Sequence, residues 1–404
     1  MGVKWKTPNA RPSIFYLLMN KNLVAGLDIG TAAIRLVVCE QLSESRTLRI
    51  LAQAKKESRG LKRGYIINFE ETLENLRETV REAERQAKLP IKNVFLGVGG
   101  ITLEAKLGLG QVAVAEADGE ITESDIRRAV EAGENGLGDL TNRHVISNQP
   151  VAFRLDGKRI LGRPEGLRGG KLEAKTIFVH CLKQHLQDLI RVTEMAGLAV
   201  DDIVAAPLAA STSALSVTQK AAGCVLINIG SQTTSMVVWE DGVPLTLQVF
   251  PLGSNDVTND IALGLRLPLD EAERMKLDEN YAVAAKRKLD EIIEARLSDM
   301  FELIETALRK IGRSGLLPAG AVIVGAGARV HEIEKLAGGT LRLPAKLFDP
   351  LTDPQMKSQI KDAGWVVAYG LCLQGLAGER SEGMGQQVKR ASVRVRRWFR
   401  ELLP

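Results

Sequence analysis

LVAGLDIG (Leu23–Gly30), followed at once by TAAIRLVVCE (Thr31–Glu40), reads as a buried strand, a tight glycine turn and a second strand. Short apolar runs bounded by turn signals are the pattern of strands covered on both faces. Leu48–Ala54 supplies a third strand, so the chain opens as a β-meander. Phe69–Lys88 follows as a long amphipathic helix, with Leu73, Leu76, Val80, Ala83 and Ala87 at helical spacing; Pro90 stops it, and Val94–Gly100 is a buried strand. Leu182–Ala196 is again helical, and Val200–Ala206 is a strand. The opening pattern then returns: GCVLINIG (Gly223–Gly230), Gln232–Glu240 and Leu245–Pro251 repeat the meander, with a glycine turn between the first two strands. A βββαβα unit followed by a second βββ unit with helices implies an α/β fold of two related lobes.

The turns suggest what the lobes are for. A glycine turn at a strand end exposes backbone N–H groups, and two such turns facing across a cleft can cradle phosphates. The candidates are Asp28-Ile-Gly-Thr31, Asn228-Ile-Gly-Ser-Gln-Thr-Thr234 and Gly325-Ala-Gly-Ala328, the last closing the buried strand AVIV. Asp28, at the end of the first strand, is placed to hold Mg²⁺ through water. Each turn alone is ordinary. It is the order and spacing of the three that point to a nucleotide cleft.

Between the two units the texture changes. From about Ile101 to His180 short alternating strands surround one helix, entered at EITESDIRRAVEAGE, where Thr122 and Asp125 resemble a capping pair. Gly/Pro-rich turns fill the rest, so an inserted α+β subdomain is expected. Further on, Asp256–Leu265 and Leu289–Ile311 are helical, and Trp365–Leu376 is a final apolar helix. The expected division is an extension over 1–22, the first lobe in two parts over 23–101 and 182–221, the insert over 102–181, and the second lobe over 222–376 with a smaller subdomain at 256–318. A linker over 377–387 and a terminal helix over 388–404 complete it.

Composition excludes several classes. With 404 residues, 45% hydrophobic and 25% charged, the chain has enough apolar surface for folded domains, against disorder. No apolar run is long enough to span a membrane, and the patch Ile14–Met19 is too short for a signal peptide, so a cytoplasmic location is expected. Cys39, Cys181, Cys224 and Cys372 are widely spaced and read as buried thiols, without a disulfide or zinc pattern. His180 and His185 could meet on one helix but read as packing or surface residues.

Charge is informative once located. The formal net charge is +5, and the stretch from Gln386 onward carries all of it: Lys389, Arg390, Arg394, Arg396, Arg397 and Arg400 against Glu401. The rest sums to zero, which argues against a nucleic-acid-binding face. On a helical wheel Val388, Ala391, Val395, Trp398, Phe399, Leu402 and Leu403 share an arc of about 140°, with the cations opposite. That is an interfacial helix, its rings entering the acyl boundary and its cations meeting anionic headgroups. The expected membrane-binding residues are Lys389, Arg390, Val395, Arg396, Arg397, Trp398, Phe399 and Leu402.

Together these stretches resemble the actin/Hsp70 nucleotide-binding superfamily and, within it, the FtsA family of bacterial cell-division proteins. The resemblance covers about residues 23–376 and the tail. The most specific part is the insert, where EITESDIRRAVEAG and PEGLRGGKLEAKTIFVH are similar to the subdomain that sets this family apart. The resemblance implies a two-lobed, actin-like (duplicated ribonuclease H-like) fold with an FtsA-type insert, and ATP or ADP with Mg as cofactors. It implies nucleotide contacts from Asp28, Gly30 and Thr31, from Gly230, Ser231, Gln232 and Thr233, and from Gly325, Ala326 and Gly327, with Glu273 and Lys276 toward the ribose. Arg296, on the helical stretch IIEARLSDMF, is the implied contact for the acidic C-terminal peptide of FtsZ.

Departures from the family pattern bear on chemistry. The second loop has Asn228 and Ser235 where carboxylates are usual, and Ser231 and Gln232 where glycines are usual; Ala33 replaces a frequent Lys, and Ala326 a Gly. Nucleotide binding should survive, because backbone amides do most of it, while hydrolysis should be slow or absent. The expected function is an ATP-binding, self-assembling adaptor that anchors FtsZ filaments to the inner face of the cytoplasmic membrane at the division site and helps recruit other division proteins. A PilM-like component of a pilus or secretion platform is the alternative. A chaperone would need a substrate-binding domain after Leu376, and a sugar kinase a catalytic Asp that the second loop does not offer.

Overall fold

Both quoted stretches fold as hairpins of one register. In the first, β1 (Leu23–Ile29) pairs antiparallel with β2 (Ala33–Gln41), Asp28 opposite Arg35. The computed structural model describes residues 23–42, 48–116, 118–138, 140–277, 286–352, 360 and 362–381. The first unit continues with β3 (Leu48–Glu57), the short hairpin β4 (Leu61–Lys62) and β5 (Tyr65–Ile66), α1 (Phe69–Ala87) and β6 (Asn93–Val98). The insert contributes β7 (Glu104–Ala113), α2 (Glu123–Asn135), β8 (Arg143–Leu155), β9 (Lys158–Ile160) and β10 (Lys171–Leu182). The unit closes with α3 (Lys183–Met195), β11 (Ala199–Ala205), α4 (Ala206–Ala214) and α5 (Val217–Ala222). Its sheet has the order β11-β6-β1-β2-β3.

The second unit repeats this plan. β12 (Cys224–Ile229) pairs antiparallel with β13 (Thr234–Glu240), Asn228 opposite Ser235, and β14 (Val243–Phe250) completes the meander. Then come α6 (Ser254–Leu265), α7 (Leu269–Leu277), α8 (Lys286–Lys310), β15 (Ala321–Val324), α9 (Ile333–Leu341), β16 (Ala345–Leu347) and α10 (Val366–Ser381). The order β14-β13-β12-β15-β16 is the first sheet over again: an antiparallel meander, then two parallel neighbours.

The first two strands of each meander are largely apolar because both of their faces are covered. On one face of the first sheet, Leu73, Leu76 and Val80 of α1 and Leu186, Leu189 and Ile190 of α3 form a core with Leu27, Leu36 and Leu96. The other face is closed by α10, whose Ala368, Tyr369 and Cys372 cluster with Val24, Val37 and Cys39. This differs from the expected division, which placed the final helix in the second lobe. α10 follows the second sheet in the chain but returns to pack on β1, β2, β6 and α4, while α4 packs on the second sheet through Ala206, Ala209, Ala210, Leu226 and Val324. The two helices thus tie the lobes together. α10 also runs to Ser381, so the first residues of the stretch read as linker are helical.

The insert is a separate antiparallel sheet, β7-β10-β8-β9, with α2 laid across it. Its main strands are long, ten to thirteen residues, where short ones were expected. The entry to α2 is the expected capping box: the Thr122 side chain accepts the Asp125 N–H, and Asp125 accepts the Thr122 N–H. β7 lets the helix come close because it carries glycine at the contact; a Cβ at Gly110 would fall 1.8 Å from the Ala129 carbonyl oxygen. Among the described residues no helix is long and apolar enough to cross a membrane. The described thiols of Cys39, Cys181, Cys224 and Cys372 are all buried and free.

Candidate functional site

The two glycine turns are built alike and face each other. Gly30 N–H donates to the Ala33 carbonyl (3.2 Å), and Gly230 N–H to that of Thr233 (2.9 Å). Between them lies a cavity of about 120 Å³. Asp28, Gly30 and Thr31 line it from the first lobe, Gly230, Ser231 and Thr233 from the second, and Gly325 and Ala326 close it. The third turn is wedged against the second. Gly325 has φ 100°, and a Cβ there would fall 2.4 Å from Asn228 Oδ1; one on Gly327 would fall 2.6 Å from the Gly230 carbonyl oxygen. The three turns, far apart in the chain, thus form one site, as their order and spacing implied.

Two helices begin at this cavity. Ala206 and Pro207 open α4 and Val366 and Val367 open α10, and all four line the space. Their N-terminal N–H groups and dipoles favour an anion there. The second turn is braced from behind by α6: Ser254 N–H donates to the Gly230 carbonyl (2.9 Å) and Asn255 N–H to that of Ser231 (2.8 Å).

Electrostatics supply a residue that sequence reading missed. Arg35, only 7% exposed, lines the cavity opposite Asp28. Burial pushes the Asp28 carboxyl up from its usual range, and the Arg35 guanidinium pulls it back down. The available signal was a lone Arg in an otherwise apolar strand, since an ion is buried only where a counter-charge or ligand repays its desolvation. Asp28 is the single carboxylate among the described residues lining the cavity, and the described residues contain no cluster of His, Cys, Asp and Glu able to hold a metal by themselves. This donor set fits a cation carried in on phosphates and keeping its waters, which needs only one or two carboxylates.

Other expected residues sit elsewhere. Glu273 and Lys276 are on α7 and do not line the cavity. Lys276 Nζ donates to Glu273 (2.6 Å), to Thr258 Oγ1 (2.8 Å) and to the Ser254 carbonyl (3.2 Å), so the pair anchors the start of α6. Burial lowers the Lys276 pKa, and Glu273 opposes that shift. Gln232 points past the cavity to the first lobe, where its Oε1 accepts the Arg63 N–H (2.9 Å). Arg296 is only partly exposed and is paired with Asp260 through Nε (2.5 Å) and a second nitrogen (3.1 Å), with Asp299 at 3.6 Å. His180 and His185 share no helix: His180 is buried in β10 and His185 in α3, where it lines the cavity. The membrane calls Lys389, Arg390, Val395, Arg396, Arg397, Trp398, Phe399 and Leu402, the extension 1–22 and linker residues 382–387 lie outside the described residues.

Comparison with known proteins gives two family matches. The family described as "Cell division protein FtsA" matches residues 225–370, and that described as "SHS2 domain inserted in FTSA" matches residues 102–180. Cell division protein FtsA of Bacillus subtilis is 31% identical over 83% of this chain and 81% of its own length. Its counterpart in Pseudomonas aeruginosa is 28% identical over 92% and 93%, and that of Escherichia coli K12 25% identical over 95% and 97%. Among solved structures, a type IV pilus biogenesis complex, PilM-PilN, superposes with TM-score 0.66 at 19% identity over 87% of this chain and 98% of that one. MreB5 of Spiroplasma citri bound to ADP superposes with TM-score 0.51 at 14% identity over 90% and 99%. At those identities the structural likeness carries the actin-like fold alone. It is the sequence relatives and the insert that set the pilus reading aside.

Proposed function

Because this chain belongs to the FtsA family of cell-division proteins, we propose that it is an ATP-binding adaptor that assembles with itself and moors FtsZ filaments to the cytoplasmic membrane at the division site. The observation that carries the nucleotide part is the pair of matched turns meeting at one cavity with Arg35 and two helix N-termini around it. ATP or ADP would lay its phosphates between Gly30–Thr31 and Gly230–Thr233, with Arg35 neutralising charge and Gly325–Ala326 closing behind. Mg²⁺ would arrive on the phosphates and take one water-mediated contact from Asp28. When bound, the ion would screen the charge of neighbouring phosphates.

The residues argue for binding over turnover. Hydrolysis needs an attacking water held and deprotonated, and the second hairpin presents the neutral Asn228 and Ser235 at this point. The two turns belong to different lobes, so a ligand held between them favours one spacing of the lobes over others, and that shift in population is how occupancy would bias self-assembly.

Membrane attachment rests on the cationic amphipathic stretch Val388–Leu403. The FtsZ contact is proposed for the smaller subdomain of the second lobe, where Arg296 would share its guanidinium between Asp260 and an acidic peptide. The test is co-sedimentation of the full chain with vesicles containing anionic lipid, with and without FtsZ and ATP. Full-length protein should pellet with vesicles and carry FtsZ with it, less so at high salt. A chain ending at Gln387 that pellets equally well would overturn the mooring.

A further inference from the structure

Gln232 stands in the second turn, yet its side chain ends in the other lobe. Its neighbours Ser231 and Thr233 line the cavity, while Gln232 does not. It reaches over to the first lobe, where its Oε1 accepts the Arg63 N–H (2.9 Å). Glycine, usual in the family pattern at this position, has no side-chain acceptor to send across. The bond therefore belongs to this chain's own departure from the pattern.

The receiving end is firmly held. Arg63 (φ 51°) and Gly64 (φ 88°) form the left-handed turn of the β4–β5 hairpin. A bulky residue in that region is strained and persists only where its surroundings over-determine it. Here they do. Gly64 N–H donates to Thr31 Oγ1 of the first turn (3.0 Å), and Ile101 N–H donates to the Arg63 carbonyl (3.3 Å). His185 Nε2 contacts the Gly64 carbonyl (2.9 Å), and a Cβ on Gly64 would fall 2.5 Å from Gly100 Cα. These anchors fix the hairpin tip to the first lobe and to its join with the insert. The second turn is fixed to the second lobe, through the Ser254 and Asn255 N–H groups of α6. Arg63 and Gln232 thus move with different lobes, and separating the lobes carries them beyond the roughly 3.2 Å at which such bonds form.

We propose that Gln232 is a clasp: it holds the lobes at the spacing seen here, whether or not the cleft is occupied, and so slows the passage of nucleotide in both directions. The inference rests on the nucleotide reading of the cleft. A ligand seated between turns of two different lobes enters and leaves as those lobes separate, and each separation must first break the clasp. Because Gln232 bonds the other lobe and not the ligand, it favours the clasped spacing equally in the empty and the loaded protein. Entry and release are then slowed by one common factor, and their ratio, the affinity, stays where it was. A group that bonds the ligand behaves otherwise: its loss speeds release, weakens affinity by the same factor, and leaves entry alone.

The test is stopped-flow mixing of the full chain with a fluorescent ATP analogue, beside equilibrium titration with the same probe. Entry is read from the concentration dependence, and release from displacement by excess ATP. Gln232→Met keeps the length of the side chain and removes the acceptor; Gln232→Gly removes the side chain altogether. In both variants entry and release should rise together by about two- to tenfold, as for the loss of one hydrogen bond, with the titrated affinity changed less than about twofold. The clasp is overturned if either variant exchanges the analogue at the rates of the unmodified protein. It is equally overturned if the two rates change by different factors, release alone rising being the mark of a ligand contact. Failure of the unmodified protein to bind the analogue overturns the nucleotide reading itself, and the clasp with it, and is seen separately in the titration.

Discussion

Arg35 shows how a single side chain defines the cleft. Its strand position faces Asp28, it is nearly inaccessible to bulk solvent, and it lines the cavity between the turns, where its charge would meet phosphates. Arg35→Met keeps the length of the side chain and removes the cation; ATP affinity should fall at least about tenfold, as for the loss of a charge-assisted contact, with binding read by titration. His180 sets a pH dependence. Burial, reinforced by Arg143, holds its pKa down at about 4, against an ordinary 6.5. The unfolded chain therefore takes up a proton near 6.5 while the native side chain stays neutral, and stability falls as pH drops through that window. His180→Gln should flatten the slope of the unfolding midpoint against pH between about 6.5 and 4. Neither role is announced locally. Arg35 stands in an apolar run and His180 in HCLKQH, and what each does depends on residues brought to it by pairing.

Elements divide by whether their cause is local. The hairpins β1–β2 and β12–β13, the helix α1 and the capping box of α2 were all legible, because apolar runs bounded by turns, helical spacing and cap chemistry are properties of a few neighbouring residues. The β4–β5 hairpin was not. It is two residues per strand, its turn residues are Arg and Gly, and its conformation is held by Thr31, His185 and Gln232 from three other places in the chain. Strand length in the insert was underestimated for a related reason: Gly108 and Gly110, poor strand formers by themselves, lie within β7 because they let the helix pack closely. Gly110→Ala tests that reading. Its Cβ has no room against the Ala129 carbonyl, so α2 must lift from the sheet, with a loss on the order of 1–3 kcal/mol measured by thermal unfolding. An unchanged midpoint would mean that the helix is free to shift.

At the scale of the whole molecule, two copies of one plan enclose a site that belongs to neither. The first copy contributes Asp28 and Arg35; the second contributes Asn228 and Ser235 at the same register. The asymmetry makes one wall charged and the other neutral, which suits holding phosphates more than cleaving them. Purified protein with ATP and Mg²⁺ should release phosphate far below the roughly 1 s⁻¹ at the lower end of ordinary enzymes, while still binding the nucleotide. Turnover in the ordinary range would mean that Asp28 or His185, the two titratable bases described at the cavity, activates a water.

Sequence by itself determined the duplicated meanders, the three glycine turns, the inserted subdomain and the concentration of positive charge in Lys389–Arg400, because each is written in short-range pattern and composition. Only the tertiary structure decided that Arg35 faces the cleft, that α10 returns to the first lobe, that Glu273 and Lys276 brace α6 from behind, and that Gln232 reaches Arg63. Those facts join residues far apart in the chain. Their distances are set by how sheets and helices pack, and no local periodicity encodes them.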